Sequence, residues 1–287
     1  MTFQLPEDSQ SRPVTVVGGG TLGRRIALMF ASGGAETRIY DLADQVRADA
    51  VAYVEQSLPD VVASRHGAVA GTVRGDDDLA TAVADAWLVV EAVPERLELK
   101  TTVFGQLDRV VAADTILASN SSSYASRLMI DDVEHPERVL NMHFYMPPQQ
   151  NAVDLMSDGQ TDPAILEFLK EQLPRYGVFP FVAHQESTGF IFNRIWAAIK
   201  REALAVVADG VSTPEDVDAM FQVNSGAAAG PFRMMDQVGL DVVLDIENHY
   251  AAENPHLPEG PRTLLHQYVD AGNLGVKTGR GFYTYDR

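Results

Sequence analysis

A turn built on three glycines constrains this chain more than any other stretch. Residues 13–23 read Pro-Val-Thr-Val-Val-Gly-Gly-Gly-Thr-Leu-Gly. The β-branched run Val14 to Val17 is suited to a buried parallel strand, and Arg24 to Phe30 continues as an apolar helix. Between them Gly18, Gly20 and Gly23 stand at G-x-G-x-x-G spacing. Gly18 lets the chain turn tightly off the strand. Gly20 has no Cβ, so a pyrophosphate can approach the backbone, and Gly23 lets helix and strand pack closely. The helix N-terminus, opened by Thr21 and Leu22, offers N–H groups and partial positive charge to phosphates.

Glycine loops with this spacing are common, so the context decides. A second strand, Glu36 to Tyr40, ends at Asp41, 21 residues past Gly20. An acid about 20 residues beyond the turn meets the adenosine ribose of a bound dinucleotide. A carboxylate there accepts hydrogen bonds from two ribose hydroxyls and repels a 2′-phosphate. The reading is therefore an NAD site with Gly18, Gly20, Thr21, Leu22, Gly23 and Asp41 as cofactor-binding residues.

The chain beyond alternates strands and helices as far as about residue 185. Leu42 to Ala70 has helical periodicity, interrupted by Pro59 and Gly67. Asp76, Asp77 and Asp78 open a short helix ending near Ala84, since carboxylates suit a helix N-terminus. Ala86 to Ala92 is a core strand, and a helix follows from Leu97 to Val111. Glu91, Glu95 and Lys100 sit where that strand gives way to helix, at the ligand-facing edge of a doubly wound sheet. Ile116 to Ser119 is a further strand. The Asn120-Ser121-Ser122-Ser123 that ends it either lines a pocket or caps a helix from Tyr124. Val139 to Phe144 contains His143 and is followed by Val153 to Met156 with Asp154, 11 residues on. A histidine late in a strand with an acid nearby suits a carboxylate-oriented general base. A helix from Asp162 to Tyr176 and the strand Val178 to Val182 close the first domain.

From residue 186 the pattern is helical. Phe190 to Ala208 is apolar nearly all round and is expected to be buried, in part by a partner subunit. Pro214 and Pro231 stand at helix starts, and Leu264 to Ala271 is a last helix before the glycine-rich 275–283. The fold class is thus an α/β Rossmann-type doubly wound sheet, residues 1–185, followed by an all-α domain, residues 186–287. At 46% hydrophobic residues both domains can build cores. A net charge of −18 argues against nucleic acid and anionic membranes as partners. No run approaches a membrane span, Met1 to Arg12 has no signal-peptide core, and there are no cysteines, all compatible with the cytoplasm. No metal site is expected, because no His or further carboxylate brackets Asp76–Asp78 at ligand spacing.

Taken together these motifs resemble the L-3-hydroxyacyl-CoA dehydrogenase family over nearly the whole chain. The resemblance rests on the glycine turn, Glu91-Ala-Val-Pro-Glu95 with Lys100, Ser119-Asn120-Ser121-Ser122-Ser123, Met142-His143-Phe144 and Gly189-Phe-Ile-Phe-Asn193-Arg194. Gly230-Pro231-Phe232, Asp236 to Asp241 and Lys277 to Tyr283 complete it. It implies an NAD-binding domain, a C-terminal domain that dimerises, and oxidation of a secondary alcohol in fatty acid metabolism, with the site in the cleft between domains. By position His143 matches the catalytic base, Ser122 the serine that bonds the substrate oxygen and Asn193 a second-domain asparagine near the reacting centre. Glu95, Lys100 and Asn120 match residues beside the cofactor.

Two departures stand out. In the family the histidine's partner is a glutamate one residue further along. Here Asp154 takes that place, brought there by a one-residue shortening within Met146 to Asn151. The family's acyl-CoA enzymes also carry a lysine-rich helical insertion after the second strand. Here no lysine precedes Lys100, and residues 42–85 supply only Arg47, Arg65, His66 and Arg74 as basic groups. The leading expectation is oxidation of the 3-hydroxy group of a 3-hydroxyacyl-CoA or related 3-hydroxy acid. The alternatives are a small non-CoA hydroxy acid of the sugar-acid or carnitine type, met by Arg194, Lys200 or Arg201, and a catalytically silent NAD-binding protein. A Rossmann oxidoreductase with a catalytic lysine, for which Lys200 is the candidate, is a further competitor.

Overall fold

Parallel strands need helical crossovers, and the first half of this chain supplies one after nearly every strand. The computed structural model describes residues 3–285. The chain divides into two compact units, one ending at Phe190 and one beginning at Ile191. Among the described residues of the first unit, eight strands form one sheet. They are β1 (Val14–Val17), β2 (Glu36–Tyr40), β3 (Thr72–Asp76), β4 (Leu88–Glu91), β5 (Ile116–Ser119), β6 (Val139–Phe144), β7 (Ala152–Ser157) and β8 (Phe179–Ala183). Their order is β3-β2-β1-β4-β5-β6-β7-β8. β1 to β6 run parallel, β7 lies antiparallel to β6, and β8 pairs parallel with β7. Helices α1 (Thr21–Ala31), α2 (Asp44–Ser64), α3 (Leu79–Val83), α4 (Leu97–Val110) and α5 (Pro163–Gln172) flank the sheet. Every residue of β1, β4, β5 and β6 is buried, as the continuous apolar runs require of a sheet covered on both faces.

Several sequence expectations are corrected here. β3 was not expected: its Thr-Val-Arg-Gly-Asp carries no apolar run because it is an edge strand with only its β2 side paired. Asp76 closes β3, and Asp78 alone caps α3, accepting from the Thr81 N–H. α2 runs straight through Pro59, which is exposed, so the carbonyl that loses its amide partner faces water. No α-helix starts at Tyr124. Buried Asn141 accepts from the Ser126 N–H and donates to the Tyr124 carbonyl, capturing groups a helix would use, and only a 3-10 turn at Ser126–Leu128 remains.

The second unit is helical, with α6 (Phe192–Ala208), α7 (Pro214–Ser225), α8 (Pro231–Val238), α9 (Leu240–Glu253) and α10 (Gly260–Val269). α9 was not anticipated; Gly239, at φ +107°, ends α8 and starts α9 without a loop. Leu204, Phe232, Met235, Leu240, Val243 and Leu265 form its core. α6 is not buried all round. Ala197, Lys200, Ala203 and Leu204 face inward, while Phe192 and Ile195 are more than half exposed. Two buried carboxylates organise the unit. Asp218 accepts from the Phe232 and Arg233 N–H groups and the Tyr283 hydroxyl. Asp236 accepts from the Phe282 and Tyr283 N–H groups and the Tyr285 hydroxyl. A Cβ at Gly281 would lie 2.0 Å from the Asp236 carboxylate, so the glycine-rich 275–283 is a close-packed seam. No described helix is long and apolar enough to cross a membrane.

Candidate active site

The strand order reverses between β1 and β4, which opens a crevice at the C-terminal edge of the parallel strands. The glycine turn lies there. Gly18 has φ +110° and its backbone runs so close to β4 that a Cβ would sit 2.6 Å from the Ala92 carbonyl oxygen. A Cβ on Gly23 would lie 1.8 Å from the Gly18 carbonyl oxygen, whereas one on Gly20 would meet nothing within 4 Å. The tight turn at Gly18 and the close helix–strand packing at Gly23 are those the spacing implied, and the space beside Gly20 is open. No side chain caps α1, so the first N–H groups of the helix are left for other partners. A glycine turn and helix start of this kind suit a pyrophosphate. Asp41, at the end of β2, accepts from the Gly19 N–H at 2.8 Å and the Ala43 N–H at 2.9 Å. Those bonds fix its carboxylate beside the turn, with lone pairs left for ribose hydroxyls. The residues present fit NAD.

Glu95 and Lys100, expected beside the cofactor, are tied into one polar network at this edge of the sheet. The Lys100 ammonium is buried, 2.8 Å from Glu91 and 3.1 Å from Glu95, and donates to the Val93 carbonyl. Glu91 also accepts from the Ser119 hydroxyl and the Val93 N–H. Glu95 accepts from the Ser121 hydroxyl and from the N–H groups of Ser122 and Ser123. Burial works to raise the Glu95 carboxyl, but the Ser121 hydroxyl, the Lys100 charge and the Ser123 N–H outweigh it and hold it below the ordinary glutamate value. This network shapes the serine turn after β5. Asn120 has a similar part: its Oδ1 accepts from the Phe144 N–H, joining the ends of β5 and β6. Ser122 is exposed, with its hydroxyl 3.5 Å from that of Ser123.

His143 lies near the end of β6, directly opposite Asp154 of β7. The imidazole is 6% exposed. Phe190 stacks on its face at 5.1 Å and 5°, and Tyr145 meets it edge-on at 4.7 Å. The Phe190 backbone holds φ +54°, strained for a residue with a Cβ. Asp154 comes beside the ring as expected, but its Oδ2 is 3.8 Å from Nδ1, beyond hydrogen-bond reach. That oxygen accepts the Tyr145 hydroxyl, and Nδ1 is buried without a hydrogen bond. From α1, Arg25 donates to the Pro147 carbonyl and Gln149, tying down the β6–β7 connection.

In the second unit, Asn193 is half-buried in the first turn of α6. Lys200 is buried, and burial lowers its pKa against the opposing charge of Glu247. Arg201 is paired with buried Glu247 at 2.8 Å, so it serves the helical core. Sequence reasoning gave Tyr145 no role; it set Glu91 at the ligand-facing edge, Ser121 in the polar turn after β5 and Phe190 in a motif of the resemblance, without the contacts they make. The available signal for Tyr145 was its place two residues after His143. The bonds of Glu91 and Ser121 are formed only by folding.

Residues 13–186 match the NAD-binding domain of 3-hydroxyacyl-CoA dehydrogenase, and residues 189–285 match its C-terminal domain. The chain is 30% identical over 281 residues to 5-formyl-3-hydroxy-2-methylpyridine 4-carboxylate 5-dehydrogenase of Mesorhizobium japonicum, covering 96% of this chain and 91% of that one. It is 31% identical over 287 residues to the human mitochondrial hydroxyacyl-coenzyme A dehydrogenase, covering 95% and 90%. Among solved structures, (S)-3-hydroxybutyryl-CoA dehydrogenase from Ralstonia eutropha superposes with a TM-score of 0.84 at 28% identity, covering 96% of this chain and all of that one.

Proposed function

The chain belongs to the 3-hydroxyacyl-CoA dehydrogenase family, as an NAD-dependent enzyme acting on a CH–OH group, and from that premise we propose that it oxidises the 3-hydroxy group of a 3-hydroxyacyl-CoA or related 3-hydroxy acid with His143 as general base. The observation that carries this reading is the buried imidazole at the C-terminal end of β6 with a carboxylate on its Nδ1 side. Asp154 there leaves Nε2 to take the alcohol proton and steadies the charge the ring acquires. The Ser122 hydroxyl, held out by the Glu95 grip on the backbone around it, would donate to the substrate oxygen. When bound, NAD supplies the hydride acceptor. An NAD-reduction screen of 3-hydroxybutyryl-CoA against free hydroxy acids, with His143→Ala as control, tests this. The variant should lose turnover by roughly a hundredfold or more. Wild-type turnover in it would refute the base assignment.

A specific observation favours the second substrate reading, a non-CoA hydroxy acid. The arginines of residues 42–85 are already engaged. Arg47 holds the Asp41 carbonyl and Asp44, Arg65 the carbonyls of Tyr176 and Ser32, and Arg74 pairs with Asp76. A multiply charged CoA approaching a chain at −18 needs uncommitted local cations. Turnover of the CoA thioester exceeding that of every free acid would reject this second reading.

We also propose a homodimer through the C-terminal unit. α6 and α7 flank an apolar groove of about 1290 Å³ lined by Ile195, Ile199, Val206, Met220 and Val223. Val223 is 83% exposed and Met220 66%. An apolar face of this kind calls for cover. Sedimentation of the wild type against Met220→Glu/Val223→Glu tests it; a wild-type monomer overturns it.

A further inference from the structure

Resting on the reading of His143 as base, we propose that Tyr145 is a positioning residue of the proton-transfer site, holding Asp154 where it can orient the imidazole. Three observations converge. Tyr145 stands two residues after His143, just past the end of β6, its ring meets the imidazole edge-on at 4.7 Å, and Asp154 is the cross-strand partner of His143. The Tyr145 hydroxyl donates to Asp154 Oδ2, the same oxygen that lies 3.8 Å from His143 Nδ1. Nδ1 is buried and makes no hydrogen bond, while Phe190 and Tyr145 leave the ring little room to turn away.

An aspartate at this distance cannot clamp the imidazole alone. A hydrogen bond needs about 2.9 Å, so the carboxylate falls roughly 1 Å short. What it exerts on the ring is a directed charge, and that depends on where its oxygen is held. The phenol supplies the anchor. With Oδ2 fixed on the Nδ1 side, the tautomer with hydrogen on Nδ1 is favoured, and Nε2 is left with its lone pair for the substrate's proton. Released from the phenol, the carboxylate could rotate about χ2 and the tautomer preference would fade.

The test uses the full-length protein. Nitrogen-15 NMR of ligand-free enzyme, assigned through His143→Gln, reads the tautomer of His143. The wild type should show predominantly hydrogen on Nδ1, and Tyr145→Phe a mixture. Kinetics with the hydroxy compound that the screen above finds most active should show kcat falling about tenfold to a hundredfold in Tyr145→Phe, the scale of a misplacement of about 1 Å. KM and NAD affinity, the latter by calorimetry, should stay within about twofold. The discriminating variant is Tyr145→Phe/Asp154→Glu. One added methylene of about 1.5 Å lets the carboxylate reach Nδ1 unaided, so tautomer and kcat should both recover. A wild-type tautomer in Tyr145→Phe overturns the proposal. So does a loss that Asp154→Glu leaves unrelieved, because the tyrosine would then act through packing alone. If His143→Ala retains turnover, it is the base reading that fails, and the NMR comparison decides the role of Tyr145 by itself.

Discussion

Replacing Lys100 by methionine should destabilise the N-terminal unit by about 3 kcal/mol, a figure that follows from what the ammonium holds. Its Nζ lies 2.8 Å from Glu91 and 3.1 Å from Glu95, and the Glu91 side chain is fully buried. At an effective dielectric of about 20 the closer contact alone is worth roughly 6 kcal/mol of attraction, much of which offsets desolvation. Removing one partner of a buried pair costs about 3–5 kcal/mol, because a charge is left uncompensated. Glu91 would keep the Ser119 hydroxyl at 2.7 Å and the Val93 N–H at 2.8 Å, which places the loss at the lower end. Trp87, fully buried in this unit, reports unfolding by fluorescence once the second tryptophan, Trp196, is replaced by phenylalanine. With a urea m-value of about 3 kcal/mol/M the midpoint should fall by about 1 M. Glu91→Gln/Lys100→Met removes both charges and should recover most of the loss. A single variant within about 0.5 kcal/mol of the parent, or a double variant no better than the single, would refute the reasoning.

Gly20→Ala should leave the melting temperature unchanged, since its Cβ meets no protein atom, but weaken NAD binding at least tenfold if the pyrophosphate lies against this turn; Gly23→Ala, 1.8 Å from a backbone oxygen, should damage the fold itself, and calorimetry with thermal melts separates the two. Glu95, held below its ordinary value, binds protons less readily folded than unfolded, so its contribution to stability is in place at neutral pH and is lost as pH falls below about 4.5. Acid titration of stability should therefore be shallower in Glu95→Gln. Asp158 is raised, by burial first, against bonds from Gln160 and Thr161, so its ionisation opposes folding and its contribution declines as pH rises through its titration. Asp158→Asn should equal or exceed the wild type in stability at pH 7 and fall behind it in acid, as chemical denaturation across pH would show.

The elements that bury apolar runs were legible in the sequence: β1, β4, β5 and β6 fall where their Val, Ile and Leu do. β3 was invisible because an edge strand has no apolar face to announce it. The absent helix at Tyr124 was decided 17 residues away by Asn141, a long-range contact that no local pattern encodes. Much the same holds at the site. The glycine turn follows from backbone geometry and Asp41 from its distance along the chain, so both could be read from spacing. Glu95 and Lys100 carry the same letters in any setting, and only the fold shows that they pair with each other. Tyr145 went unremarked because an aromatic beside a histidine reads as packing until its hydroxyl is seen on Asp154.

The seam that residues 282–285 form on Asp236 bears on how the protein is made. Until that stretch has left the ribosome, the carboxylate at the end of α8 lacks the donors that permit its burial, and the helices before it cannot close over it. The C-terminal unit is thus obliged to wait for nearly its whole length to be synthesised, and a chain cut short at 280 would expose the defect to cellular quality control.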